Sequence, residues 1–123
     1  MMTLTRLRRV LIADDVRDLR MLLRMALESA GEFEVVAEAE DGAQAITQAQ
    51  SHQPDLVLLD LSMPVLDGLE ALPQIRAVAP DAQVVVLSGF EASKMRDRVL
   101  EGGAIAYIEK GDIVATVGLL RDL

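Results

Sequence analysis

Short apolar runs of strand length alternate with stretches of helical character from one end of this chain to the other. The runs fall at residues 9–13, 34–39, 56–60, 83–88 and 104–108, and a helix is expected after each. The first helix carries Leu19, Leu22, Leu23, Ala26 and Leu27 at the spacing of one buried face and ends at Gly31. Asp41-Gly42 turns or caps the chain into a second, Ala/Gln-rich helix containing Ala45, Ile46 and Ala49. A loop through Met63-Pro64 and Asp67-Gly68 leads into a third helix that runs to about Val78, with Pro73 inside it and expected to kink it. The fourth begins at Glu91 or Ala92, runs to Leu100 and closes on Gly102-Gly103, and the fifth starts at Asp112.

Strand and helix in strict alternation predict a parallel sheet, because parallel neighbours are joined only by long crossovers, and the crossovers are helices here. Such crossovers are right-handed, so the expected architecture is α/β: a doubly wound, flavodoxin-like sheet of five strands in the order 2-1-3-4-5, with helices on both faces. The run at 56–59 is apolar at four successive positions, as a central strand covered on both sides requires. Residues 1–123 are expected to form one domain, since no linker, repeat or low-complexity segment interrupts the pattern.

In an open sheet of this kind ligands sit beyond the carboxyl ends of the strands. Those ends carry Asp14 and Asp15 after the first strand, Asp60 at the end of the third, Ser88-Gly89 after the fourth and Lys110 after the fifth. Three carboxylates, a hydroxyl and an ammonium converging on one crevice suit a hard cation together with a phosphoryl group. Without a counter-charge the carboxylates repel one another, and a divalent cation and Lys110 relieve that. Magnesium fits best, since it takes oxygen ligands, keeps several waters and bridges one or two carboxylates to a phosphate; Mn2+ is expected to substitute.

Composition narrows the partners. The chain is 51% hydrophobic and 26% charged, which suits a soluble globular domain, and its apolar runs fall far short of a bilayer span. Net charge is −8, so direct binding to nucleic acid or to an anionic membrane is not expected. The local exception is Arg6, Arg8 and Arg9, read as solvating the start of the fold or touching an acidic partner. The absence of cysteine and of an export signal leads to a cytoplasmic expectation.

Five stretches in register, residues 10–15 (VLIADD), 55–60 (DLVLLD), 63–68 (MPVLDG), 84–89 (VVVLSG) and 104–110 (AIAYIEK), resemble the response-regulator receiver family of two-component signalling. The resemblance covers essentially the whole chain. It implies that Asp60 accepts phosphate from a sensor histidine kinase, while Asp15, Asp60 and the backbone carbonyl of Ser62 hold Mg2+ and Asp14 orients a metal-bound water. It also implies a switch in which Ser88 moves toward the phosphate and Tyr107 turns inward. The readout surface would be helix four, strand five and helix five, docking a second copy or an output domain. A phosphoacceptor switch of this kind is not an enzyme in its own right.

Three features depart from the family: Gly111 follows Lys110 where proline with a cis bond is usual, Pro73 stands inside the third helix, and the final helix is short. That length suits either a stand-alone receiver or a piece cut ahead of an output domain. Val114, Leu119 and Leu123 lie off the inward face formed by Ile113, Val117 and Leu120, which is read either as a frayed helix end that tolerates exposed leucines or as a docking patch shared with Met95 and Val99 of helix four. His52, Arg17, Asp18 and Arg20 read as exposed.

Three other functions compete. A flavin-phosphate binder needs a phosphate loop after the first strand, where Asp14-Asp15 would repel it. A phosphatase with an aspartyl-phosphate intermediate needs a second acid two residues after the nucleophile, where Ser62 stands. The remaining alternative is a receiver-like interaction module that works without phosphorylation.

Overall fold

The all-apolar strand β3 (Leu56–Leu59) lies at the centre of a five-stranded parallel sheet, flanked by β1 (Arg8–Ala13) and β4 (Gln83–Ser88) and bounded by β2 (Phe33–Ala39) and β5 (Ala106–Glu109). The order is β2-β1-β3-β4-β5, as the sequence predicts. The computed structural model describes residues 6–89 and 92–123, the side chains of Ala92 and Ser93 excepted. Five helices cross between strands: α1 (Arg17–Ser29), α2 (Gly42–His52), α3 (Gly68–Val78), α4 (Ala92–Glu101) and α5 (Ile113–Arg121). The alternative start of α4 at Glu91 lies outside the described residues.

The sheet divides the interior into two cores. Leu11, Val57, Leu59, Val84 and Val86 point to one side, where α2, α3 and α4 cover them with Ala45, Ala49, Leu72, Ile75 and Val99. Val10, Ile12, Leu56, Leu58 and Val85 point to the other, under Leu23 and Leu27 of α1 and Val117 and Leu120 of α5. Successive strand residues face opposite ways, so only apolar residues at every position of β3 satisfy both cores.

Local signals set the helix ends. Asp41, Asp67 and Asp112 are N-caps whose carboxylates accept from the backbone N–H groups of Gln44, Glu70 and Val114, each at 2.8 Å. Gly103, with φ +106°, takes the left-handed conformation that follows α4. The third helix continues through Pro73 to Val78. None of the described peptide bonds is cis, in keeping with glycine after Lys110.

Three expectations about side chains need correction. Leu22 is 51% exposed, although its spacing puts it with the buried residues. The buried arc of α1 is centred on Leu23 and Leu27, and Leu22 stands about 100° around the helix from Leu23. The arc is rotated toward Arg20 and Arg24, which reach Glu38 on β2.

Val99 is fully buried and Met95 packs beside it in the core under α4, whereas α5 covers the opposite core. Val99 therefore cannot share an exposed patch with Val114, Leu119 and Leu123, which are exposed on α5.

The basic cluster is occupied within the fold rather than simply solvated. Arg8 donates to the carbonyl of Leu120 at 3.0 Å and lies over the Phe33 ring, while Arg9 donates to the carbonyl of Gln53 at 3.0 Å. Arg8 thus ties the last turn of α5 to the sheet.

Candidate functional site

Asp14 and Asp60 stand one residue beyond β1 and β3, where Ala13 and Leu59 are register partners. The ladder continues past the strand ends: Asp60 N–H donates to the Ala13 carbonyl at 2.9 Å and Asp14 N–H to the Ala39 carbonyl at 3.0 Å. The two aspartates are therefore fixed side by side by the sheet itself. Lys110 reaches the same place because its N–H donates to the Ser88 carbonyl at 2.7 Å, holding the end of β5 against β4.

Four of the side chains meet, those of Asp14, Asp15, Asp60 and Lys110. One carboxylate oxygen from each of Asp14, Asp15 and Asp60 lies within 4.8 Å of the others. Lys110 Nζ contacts Asp14 Oδ2 at 2.8 Å and Asp60 Oδ2 at 3.3 Å. Asp14 and Asp60 are 2% and 3% exposed, so these charges interact with little screening by water. Asp15 is exposed. Asp60, Ser62, Gly89 and Lys110 line an open crevice of about 250 Å³.

Electrostatics follow from that burial. Desolvation first, and then the neighbouring charge of Asp14, push the Asp60 carboxyl above the usual aspartate range, against the opposing pull of Lys110 and the Ser62 N–H. Burial by itself would lower the Lys110 ammonium, but its hydrogen bond to Asp14 and the charges of Asp60 and Asp14 outweigh that and hold it above the usual lysine range. The cluster thus carries more negative charge than Lys110 balances. Its donors are all hard oxygens, which is the set a small divalent cation prefers.

The loop after Asp60 is packed rather than loose. Ser62 N–H donates to Asp60 Oδ1 at 3.3 Å, and Gly68 N–H donates to the Leu61 carbonyl at 2.9 Å. A Cβ on Gly68 would overlap the Asp60 carbonyl group and approach Leu61 Cα to 2.8 Å. The N-terminus of α3 therefore sits directly on the backbone of Asp60, and Gly68→Ala is expected to cost about 3 kcal/mol in urea unfolding, as overpacking against backbone does. Gly118 has nothing within 4 Å of its would-be Cβ and lies in α5, so Gly118→Ala is the contrasting control, expected to stabilise by about 0.5–1 kcal/mol.

Ser88 is fully buried at the end of β4, and Tyr107 is 9% exposed within the core beneath α4. His52 is half-buried, with its ring Nδ1 3.2 Å from the carbonyl of Gln48, and belongs to α2 rather than to any site. Arg17 and Asp18 are exposed as expected.

Arg20 is not. Its side chain is 12% exposed, its Nη1 donates to the carbonyl of Asp14 at 2.7 Å, and its Nε donates to Glu38 Oε1 at 2.9 Å. Sequence reasoning missed it because helical spacing places it beside Arg17 and Asp18, and nothing local marks a partner 18 residues away on β2. The usable signal is Glu38 itself, an acidic residue that is half-buried near the end of β2, whereas Glu34 in the same strand is exposed.

A family model described as the response regulator receiver domain matches residues 10–115. The chain is 40% identical over 102 residues to the chemotaxis protein CheY of Bacillus subtilis, covering 83% of this chain and 84% of that protein. It is 42% identical over 105 residues to the transcriptional regulatory protein PdtaR of Mycobacterium tuberculosis, covering 84% of this chain but 49% of PdtaR, so it spans about half the length of that relative. Among solved structures, the response regulator domain of Thermotoga maritima CheB superposes with a TM-score of 0.87 at 30% identity, covering 95% of this chain and 92% of that one.

Proposed function

The chain belongs to the response-regulator receiver family, and from that premise we propose that it is a phosphorylation switch in which Asp60 accepts a phosphoryl group from a sensor histidine kinase. The observation that carries the reading is the meeting of Asp14, Asp15 and Asp60 within 4.8 Å, with Lys110 Nζ on two of them. Asp14, Asp15, Asp60 and the backbone carbonyl of Ser62 would hold Mg2+. When bound, that ion supplies charge neutralisation and orientation for the phosphoryl oxygens.

The chain's own residues do the rest. An ionised Asp60 oxygen attacks the phosphorus of the donor, forming the acyl-phosphate bond as the bond from phosphorus to the donor's leaving atom breaks. Lys110, already 3.3 Å from Asp60, then has a phosphoryl oxygen to pair with. Ser88 offers a hydroxyl from the end of β4, and Gly89 leaves the backbone open to close approach.

Movement of Ser88 toward the phosphoryl group, with Tyr107 following, carries the signal to the surface of α4, β5 and α5. That face would dock a second copy of the chain or an output domain, and the protein would act in the cytoplasm. Among the described residues no helix is long and apolar enough to cross a membrane.

The test is incubation with Mg2+ and a small phosphodonor such as acetyl phosphate or a phosphoramidate. One phosphoryl group, stable to acid and labile to base, is expected on the peptide that contains Asp60. No incorporation under these conditions overturns the reading and leaves an interaction module that works without phosphorylation.

A further inference from the structure

We infer that Arg20 is a positioning residue for the metal-binding aspartates, acting through the peptide unit that joins Asp14 to Asp15. The inference deepens the proposed phosphorylation switch and rests on it. A peptide unit is planar, so a hydrogen bond to the carbonyl of Asp14 fixes the plane that ends at the nitrogen of Asp15. Arg20 Nη1 makes that bond at 2.7 Å.

The two aspartates depend on it unequally. The Asp14 carboxylate has holds of its own: Oδ1 accepts from the Val16 N–H at 2.8 Å and Oδ2 pairs with Lys110 at 2.8 Å. The Asp15 side chain is exposed and, among the described residues, takes part in no hydrogen bond or ion pair. Its direction is therefore set by its backbone, which is held on one side by the peptide that Arg20 grips and on the other by the Val16 N–H bonded to Asp14 Oδ1.

The grip is itself braced. Glu38 Oε1 accepts from Arg20 Nε at 2.9 Å, and Glu38 Oε2 accepts from Arg24 Nη2 at 2.7 Å and from Arg24 Nε at 3.0 Å. Burial alone would raise the Glu38 carboxyl, but the hydrogen bonds and charges of Arg24 and Arg20 together outweigh it and hold the group below the usual range, so it stays ionised and keeps Arg20 aimed. Arg24 shares the Glu38 anchor but does not touch the aspartate loop. The two arginines thus separate positioning from a plain tie between α1 and β2.

The experiment measures Mg2+ affinity by calorimetry, with metal-free thermal melts and phosphoryl incorporation alongside, for wild type, Arg20→Ala, Arg20→Lys and Arg24→Ala. Arg20→Ala is expected to weaken Mg2+ binding roughly tenfold, the usual scale for losing a residue that orients metal ligands. Its rate of phosphoryl incorporation should recover at saturating Mg2+. Arg20→Lys, which keeps the charge but cannot reach Glu38 and Asp14 with two fixed donors, should fall between Arg20→Ala and wild type. Arg24→Ala should lower the melting temperature yet bind Mg2+ within about twofold of wild type.

Wild-type affinity in a folded Arg20→Ala protein, or an equal loss in Arg24→Ala, overturns the inference and leaves the phosphorylation switch standing. If Arg20→Ala gives no cooperative melt, Glu38→Gln carries the test: weakened Mg2+ binding supports the inference and unchanged binding overturns it. A wild-type protein that binds no Mg2+ sinks the metal site and this inference together.

Discussion

Asp60→Asn is expected to abolish phosphoryl incorporation altogether and, in metal-free buffer at neutral pH, to make the protein more resistant to urea than wild type. The first effect is chemical: an amide has no nucleophilic carboxylate oxygen to form the acyl phosphate. The second follows from where Asp60 sits. Burial, and then Asp14, raise its carboxyl above the usual range, with Lys110 and the Ser62 N–H only partly compensating.

A carboxyl raised in the folded state binds its proton more readily folded than unfolded. Ionised Asp60 therefore costs stability at every pH above its folded value. Asn removes that charge at nearly the same volume. The advantage of the variant should be full at neutral pH and shrink as pH falls from the folded value of Asp60 toward the ordinary aspartate range, where the wild-type carboxyl is protonated in both states. Denaturation curves at several pH values measure this, and a variant less stable than wild type at pH 7 without metal would contradict the electrostatic account of the site.

Addition of Mg2+ to the wild-type protein should raise its melting temperature, by about 2.7 kcal/mol of stability at a hundredfold excess over Kd. For a domain of this size that is on the order of 10 °C. Asp15→Asn should remove most of this response, because it takes away the exposed oxygen donor of the cluster, while its metal-free melt stays the same or rises slightly as a like charge is lost.

The Mg2+ response should also weaken as pH falls, since a proton on Asp60 competes with the metal. Because the Asp60 carboxyl is raised, that weakening should begin above the ordinary aspartate range. Thermal melts with and without Mg2+ across a pH series check both statements; an Asp15→Asn protein that responds to Mg2+ like wild type would remove Asp15 from the site.

The sequence by itself determined the architecture and nearly all of the crevice. The reason is that both are written in local patterns. Continuous apolar runs identify strands buried on two faces, and parallel strands joined by helices admit few topologies. Candidate site residues then fall at strand ends, which periodicity locates to within a residue or two. Asp14, Asp60 and Lys110 could be named in this way because the ladder that pairs Ala13 with Leu59 and Ser88 with Glu109 brings the residues just beyond the strand ends together.

Tertiary structure alone decided what depends on how helices are rotated about their axes and on which sheet face each one covers. Spacing shows that α1 has an apolar stripe but not where its centre lies, so Leu22 was expected to be buried and is exposed, and Arg20 was expected in solvent and is bonded to Asp14. In the same way, no local signal says that α4 and α5 cover opposite cores, which separates Val99 from the exposed residues of α5. An arginine's reach to a carbonyl six residues back and a carboxylate on the next strand is a property of that packing, and packing is settled only when all the elements compete for the same two faces of the sheet.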